Sequence, residues 1–305
     1  MGHDHGHASA ARGNRARIAI ALGITVVVLV AEVVGAIVSG SLALLGDAGH
    51  MSSDAIGLVV ALVASFVAAR PATDRHTFGF QRMEVLAALA NGLILVVVAA
   101  VVAFEAIRRL VSPGGDHIDA APMLIVACVG LAANIVAFAV LRGGDRSSLN
   151  LRGALLEVFG DMLGSIAAIL AAVVILLTGF ASADAIASLV IAALIVPRAV
   201  LLLRDVVRVL TESAPHDRDV AQIREHIRET PGVVEVHDVH IWNITSGAPV
   251  FTAHVVVEQD VFERGETDAV LDALGGCLSE HFDVAHSTFQ LEPAGHADHE
   301  EHAHR

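Results

Sequence analysis

Apolar residues in the first two thirds of this 305-residue chain run unbroken, instead of recurring at the spacings of half-buried helices or strands. A helix needs about 20 mostly apolar residues to cross about 30 Å of hydrocarbon. Six stretches reach that length, at 17–37, 42–68, 84–107, 120–141, 153–178 and 183–203. Turn-rich, charged separators such as "SPGGDHID" and "RGGDRSSLNLRG" divide them. The first run follows Arg12, Arg15 and Arg17 as a signal peptide would. It exceeds the roughly 7–15 residues of a signal core, so it reads as a retained span. Beyond about residue 210 the pattern changes. Val220, Ile223 and Ile227 have helical spacing, "GVVEVHDVHIWNI" and "PVFTAHVVVE" alternate like strands around "TSG", "TDAVLDALGGCLSEHF" reads as a helix and "VAHSTFQLE" as a third strand. The predicted fold is a polytopic α-helical membrane protein with six transmembrane helices, followed by a small two-layer α+β domain. Its parts are a tail at 1–16, a transmembrane domain at 17–208, the α+β domain at 209–293 and a second tail at 294–305.

Charge sharpens this division. Residues 1–208 carry 14 Arg against 14 Asp and Glu, whereas residues 209–305 carry 5 Arg against 19, which is the whole net charge of −14. Arg residues gather before the first span, in the second and fourth loops and around the end of the sixth span. The loops near 38–41 and 179–182 have none, and only Arg108 and Arg109 dissent. The positive-inside rule then puts both termini in the cytoplasm of a multi-pass protein of the cell membrane. A mean hydropathy of +0.67 with 17% charged residues excludes a disordered tail protein, a coiled-coil rod and a nucleic-acid binder. Cys128 and Cys277 are the only cysteines, so neither a disulfide scaffold nor a Cys-rich zinc module is supported. Seven of the 17 His lie in the two tails, a composition that suits either loose capture of ions or a plain solvated tail.

Ionisable groups inside a span are costly and are functional candidates by default. In "SLALLGDAGHMSSDAIGL" His50 and Asp54 stand one turn apart on one helix face. Asp47 either joins that face or caps the helix. In "NLRGALLEVFGDMLGS" Glu157 and Asp161 repeat the spacing. Two such helices facing each other bring one imidazole and three carboxylates together, a set that suits a divalent transition metal. Like charges buried one turn apart repel unless a proton or cation bridges them, which favours a metal over plain packing.

These stretches, with "RHTFGFQRMEVLAALANG", "ADAIASLVIAALI" and "HDVHIWNITSG", resemble the cation diffusion facilitator family from about residue 16 to 292. The resemblance implies a homodimeric metal-ion/proton antiporter of the zinc, cobalt and cadmium type, with a cytoplasmic metallochaperone-like domain. Zn2+ is then cargo, not a cofactor, and protons and the lipid membrane are the other partners. His50, Asp54 and Asp161 match the family's transport site, and Glu157 stands where zinc exporters usually have His. That harder ligand set keeps manganese or iron open as the cargo. The resemblance also implies a cytoplasmic-domain site from His237, His254 and Glu292, and His286 on the last strand is a candidate fourth ligand. His237 and His240, three apart on a strand, are expected on opposite faces. A further loop site found in some members needs Asp74, His76 and a second His, but that position is Phe80, so a full site is not expected. His50 and Glu157 are the expected proton carriers. A membrane sensor that binds metal without moving it is the rival from another class. A metalloprotease lacks its H-E-x-x-H, so the chain is not expected to be an enzyme.

Overall fold

The computed structural model describes residues 4–68, 70–112, 118–143, 149–216, 218–245, 247–282, 284 and 286–296. Six long helices come first: α1 (Asp4–Ser39), α2 (Leu42–Ala68), α3 (Arg82–Val111), α4 (Ala120–Arg142), α5 (Leu149–Thr178) and α6 (Ser182–Leu210). Among the described residues five segments are long and apolar enough to cross a membrane: Ala19–Ser39, α3, α4, Ala154–Thr178 and α6. α2, at 27 residues, is long enough as well and carries three ionisable groups, Asp47, His50 and Asp54. Helix α1 begins at Asp4, so the backbone expected as a tail is helical from that point. The His-rich end from residue 297 lies outside the described residues.

Two compact units divide the chain. One combines the residues up to 60 with 90–202, and the other combines 61–89 with the residues from 203 onward. In the first, α1 packs on α4 and α4 on α5. Its interior is built largely of alanine, including Ala36, Ala99, Ala127, Ala168, Ala172 and Ala199. Small side chains let helix backbones approach closely where lipid removes the hydrophobic drive for association. Leu44, Leu95 and Met123 join the alanines, while many large apolar side chains point outward: Val27, Ile37, Phe104, Leu156 and Leu177 are all exposed.

A carboxylate clasp fixes the start of α2. Asp184, fully buried on α6, accepts hydrogen bonds from Ser41 Oγ (2.5 Å), Leu42 N (2.8 Å) and Ala43 N (3.2 Å). It satisfies orphan donors of the first turn of α2 from a different helix, the role an N-cap residue normally fills locally. Arg109 of α3 lies 3.6 Å from the same carboxylate and donates to Gly40 O at 3.0 Å.

The second unit holds an α+β fold. Helix α7 (Val220–Arg228) precedes β1 (Val233–Asn243) and β2 (Pro249–Val257), then α8 (Gln259–Arg264), α9 (Thr267–Phe282) and β3 (His286–Pro293). The short α8, ended by Gly265 in the left-handed region (φ 70°), adds to the expected order. Strand β2 is central, antiparallel to β1 and parallel to β3, and the parallel pairing needs the crossover that α8 and α9 supply. Phe251, Ala253 and Val255 meet Ile223 and Ile227 of α7 and Leu274 and Leu278 of α9 in the core. The other face of the sheet therefore carries the even-numbered positions of β2 and β3.

One detail corrects the reading of β1. Its register with β2 shifts between His237, opposite His254, and His240, opposite Thr252, and Asp238 takes a left-handed φ of 46°. Such a bulge inserts a residue without a partner and resets the alternation. His237 and His240 therefore lie on the same face, not on opposite ones. They stay separate because Thr252 is two positions from His254, roughly 6.5 Å along the strand.

Replacing Asp184 by Ala should lower the stability of the detergent-solubilised protein by about 2–4 kcal/mol, since a cap and a buried charge partner go together. A thermal-unfolding midpoint unchanged from the parent would show that the clasp does not support the fold.

Candidate metal centre

Helices α2 and α5 bring their paired polar residues together. His50 Nε2 lies 3.6 Å from Asp54 Oδ2 on α2. Glu157 of α5 is an electrostatic and hydrogen-bonding neighbour of Asp54, and Asp161, one turn further, lies in the field of Asp47, Glu157 and Asp54. His50 and Asp161 are buried. The four residues predicted to hold one ion share one region between two helices, but no three of them bring one ligand atom each within 4.8 Å of the others.

A fifth residue sits among them. Arg198 of α6 places Nη1 3.1 Å from Asp54 Oδ2 and 3.3 Å from His50 Nε2, and Nη2 3.6 Å from Glu157 Oε1. A guanidinium only donates, so His50 Nε2 must accept and holds its lone pair toward the centre. That is the tautomer a metal also requires. Arg198 follows Pro197 inside the helix. By sequence alone Arg198 belongs to the Arg cluster around the end of the sixth span and reads as an orientation marker. Its signal was a single charge on a span whose apolar character continues on both sides.

Asp47 is buried within the second turn of α2 and does not cap it; Ser41 Oγ, which accepts from Leu44 N at 3.2 Å, and the Asp184 carboxylate do. Asp47 packs against α5 so closely that a Cβ on Gly164 would meet its Oδ1 at 2.6 Å. Beside it stands Glu32 of α1, fully buried, which the sequence reading missed although an ionisable group in a span is itself the signal. Glu32 and Asp47 are each other's side-chain hydrogen-bonding neighbours, while Asp161 Oδ1, Ser165 Oγ and both amide atoms of Asn134 are buried without a hydrogen-bond partner among the described residues.

In the α+β unit His237, His254 and Glu292 converge, with one ligand atom from each within 4.8 Å of the others. Glu292, 1% exposed, lies between the imidazoles, 2.7 Å from His254 Nδ1 and 3.3 Å from His237 Nε2, and accepts from Gln290 Nε2 at 2.8 Å. His286 does not join them. It pairs in register with Val250, four positions from His254 and roughly 13 Å along the strand, and its ring meets Phe78 at 6.4 Å. His76 stacks on Phe80 at 4.5 Å, the very position where a second His was sought, and Asp74 is exposed beside it. Neither belongs to a metal-ligating group among the described residues.

Two family models match this chain: the cation efflux transmembrane domain over residues 18–211 and the cation efflux protein cytoplasmic domain over residues 215–294. The chain belongs to the cation efflux family, also called the cation diffusion facilitators. Its relatives include the metal cation efflux system protein CzcD of Cupriavidus metallidurans, 42% identical over 276 residues, or 90% of this chain and 86% of that protein. The zinc transporter ZitB of Escherichia coli K12 is 42% identical over 87% of this chain and 83% of its own length. The cadmium, cobalt and zinc/H(+)-K(+) antiporter of Bacillus subtilis is 39% identical over 88% and 86%. The solved metal-bound C-terminal domain of the Cupriavidus transporter, 41% identical, covers 25% of this chain and 99% of itself, with a TM-score of 0.23. A cation efflux protein is a multi-pass membrane transporter, and in this member the guanidinium of Arg198 stands among His50, Asp54 and Glu157.

Arg198→Gln removes that cation from among the ligands. Equilibrium binding of Zn2+ to the purified protein should tighten roughly tenfold, about the 1.4 kcal/mol of one modest charge–charge interaction. Unchanged or weaker binding in a competition titration would show that Arg198 merely holds the ligands in place.

Proposed function

We propose that this protein exports Zn2+, and with it Cd2+ and Co2+, from the cytoplasm in exchange for protons by alternating access. The observation that carries the reading is the set of His50, Asp54, Glu157 and Asp161 between α2 and α5, already holding a positive charge. The names of the relatives, which specify zinc, cobalt and cadmium, support the choice of metal. In this reading the protein is a homodimer in the cell membrane with both termini cytoplasmic, residues 17–208 transport, and residues 209–293 form the cytoplasmic domain. His237, His254 and Glu292 form a regulatory metal site in that domain.

Ligand chemistry couples the two fluxes. A divalent metal needs a neutral imidazole and ionised carboxylates, so loading the site expels protons and protonation expels metal. With His50 and Glu157 as the carriers, protons entering from outside discharge the metal outward. Arg198 then neutralises the emptied carboxylates, so the metal-free site does not have to hold bare negative charge in a low-dielectric interior. A protein that only sensed metal would need neither ligand pairs on two separate spans nor an internal counter-ion.

Glu157 alone favours a second reading, a manganese or iron exporter, because it replaces a nitrogen ligand by an oxygen. Transport into sealed proteoliposomes, with Zn2+, Cd2+, Co2+, Mn2+ and Fe2+ in competition and with or without a pH gradient, separates these cases. Zn2+ should win and its flux should follow the gradient, while Asp54→Ala and Asp161→Ala should each reduce it to the leak rate. Flux that persists in both variants, or ignores the gradient, refutes the proposed site or the coupling. Glu157→His should shift the preference further from Mn2+ toward Zn2+.

A further inference from the structure

The helical layer of the α+β unit carries a second group of ligands, away from the sheet face that holds His237, His254 and Glu292. His226 lies in the last turn of α7, and Cys277 and His281 stand one turn apart on α9. One ligand atom from each lies within 4.8 Å of the other two. The rings of His226 and His281 meet edge to face with centroids 4.8 Å apart. Tetrahedral zinc asks for about 3.3–3.6 Å between neighbouring N and S ligand atoms, so small side-chain rotations close the set.

Three features of the surroundings favour a cation. Both His residues sit in the last turn of their helices, where the helix dipole is negative. His281 Nδ1 lies 3.3 Å from the carbonyl oxygen of Cys277, to which it can donate, and this leaves Nε2 with its lone pair. Metal-ligating histidines are normally oriented by such a bond. The Glu229 carboxylate acts electrostatically on Cys277, and negative charge beside the sulfur favours a bound cation.

We propose that His226, Cys277 and His281 form a thiolate-containing site for a soft or borderline divalent cation, Zn2+ or Cd2+, that clamps α7 to α9. Sulfur and imidazole select these ions over Mg2+ and Mn2+. Three protein ligands leave a fourth position for water or an incoming group. The thiol proton leaves as the metal binds. The site is chemically distinct from the transport site and the sheet-face group, neither of which contains sulfur, and it does not depend on the transport reading.

Sulfur makes the test specific. In the full-length protein in detergent, a Cys128→Ser background leaves Cys277 as the sole thiol. Cd2+ titration should produce a thiolate-to-cadmium charge-transfer band that saturates at one ion per protomer. Zn2+ should suppress the band and shield Cys277 from maleimide, and Mg2+ and Mn2+ should do neither. His226→Ala and His281→Ala should each weaken Cd2+ binding by at least about tenfold. His237→Ala and Glu292→Gln, on the other face, should leave the band unchanged. A band that keeps its affinity in both helix-layer His variants, or no band in a protein with the parent's helical circular dichroism, overturns the proposal. Metal flux in proteoliposomes reports separately on the transport site.

Discussion

Buried charge must be balanced, and in the membrane unit that constraint governs the arrangement of everything else. Glu32, Asp47, Asp54, Glu157 and Asp161 place five carboxyl groups on helices whose outer surfaces are Val, Ile, Leu and Phe. Carboxylates so close together persist only with protons or with cations near them. Arg198 is the cation that the chain supplies itself, and it reaches two of the five along with His50. A site tuned to accept positive charge from one of several sources is already most of an exchanger, because each source displaces the next.

The packing around it follows a rule opposite to that of a soluble protein. Alanine fills much of the interior and many large side chains face out, which is favourable only when the surroundings are hydrocarbon. Glycine marks the closest approaches. A side chain at Gly164 would collide with Asp47, one at Gly130 would lie 3.1 Å from Glu32 Oε1, and one at Gly57 would lie 2.6 Å from Asn91. These residues give the polar groups the room that methyl groups would take.

Much of this was legible in the sequence. Unbroken apolar runs predict the six helices, because length is a local property that lipid enforces directly. Spacing of four predicts which polar residues share a helix face: His50 and Asp54 lie 3.6 Å apart on α2, and Glu157 and Asp161 both stand in the field of Asp54. What stayed hidden depends on neighbours far along the chain. Arg198 reads as a topology marker until α6 is seen to carry it to α2 and α5. The bulge at Asp238 reverses the alternation of β1 without any glycine to announce it, and so returns His240 to the face of His237. Strand register, not composition, leaves His286 at a distance from His254. His226 and Cys277 lie about fifty residues apart and meet only because α7 and α9 cover the same sheet.

The Asp184 clasp limits how the centre can open. It ties the start of α2 to the start of α6, and Arg198 lies about 21 Å further along that same α6. A pinned helix cannot slide lengthwise to withdraw its arginine from α2. The guanidinium leaves Asp54 and His50 only by its own side-chain swing, whereas turning α2 and α6 together against α5 parts it from Glu157 alone. The clasp thereby favours turning about the shared end of the two helices over lengthwise sliding.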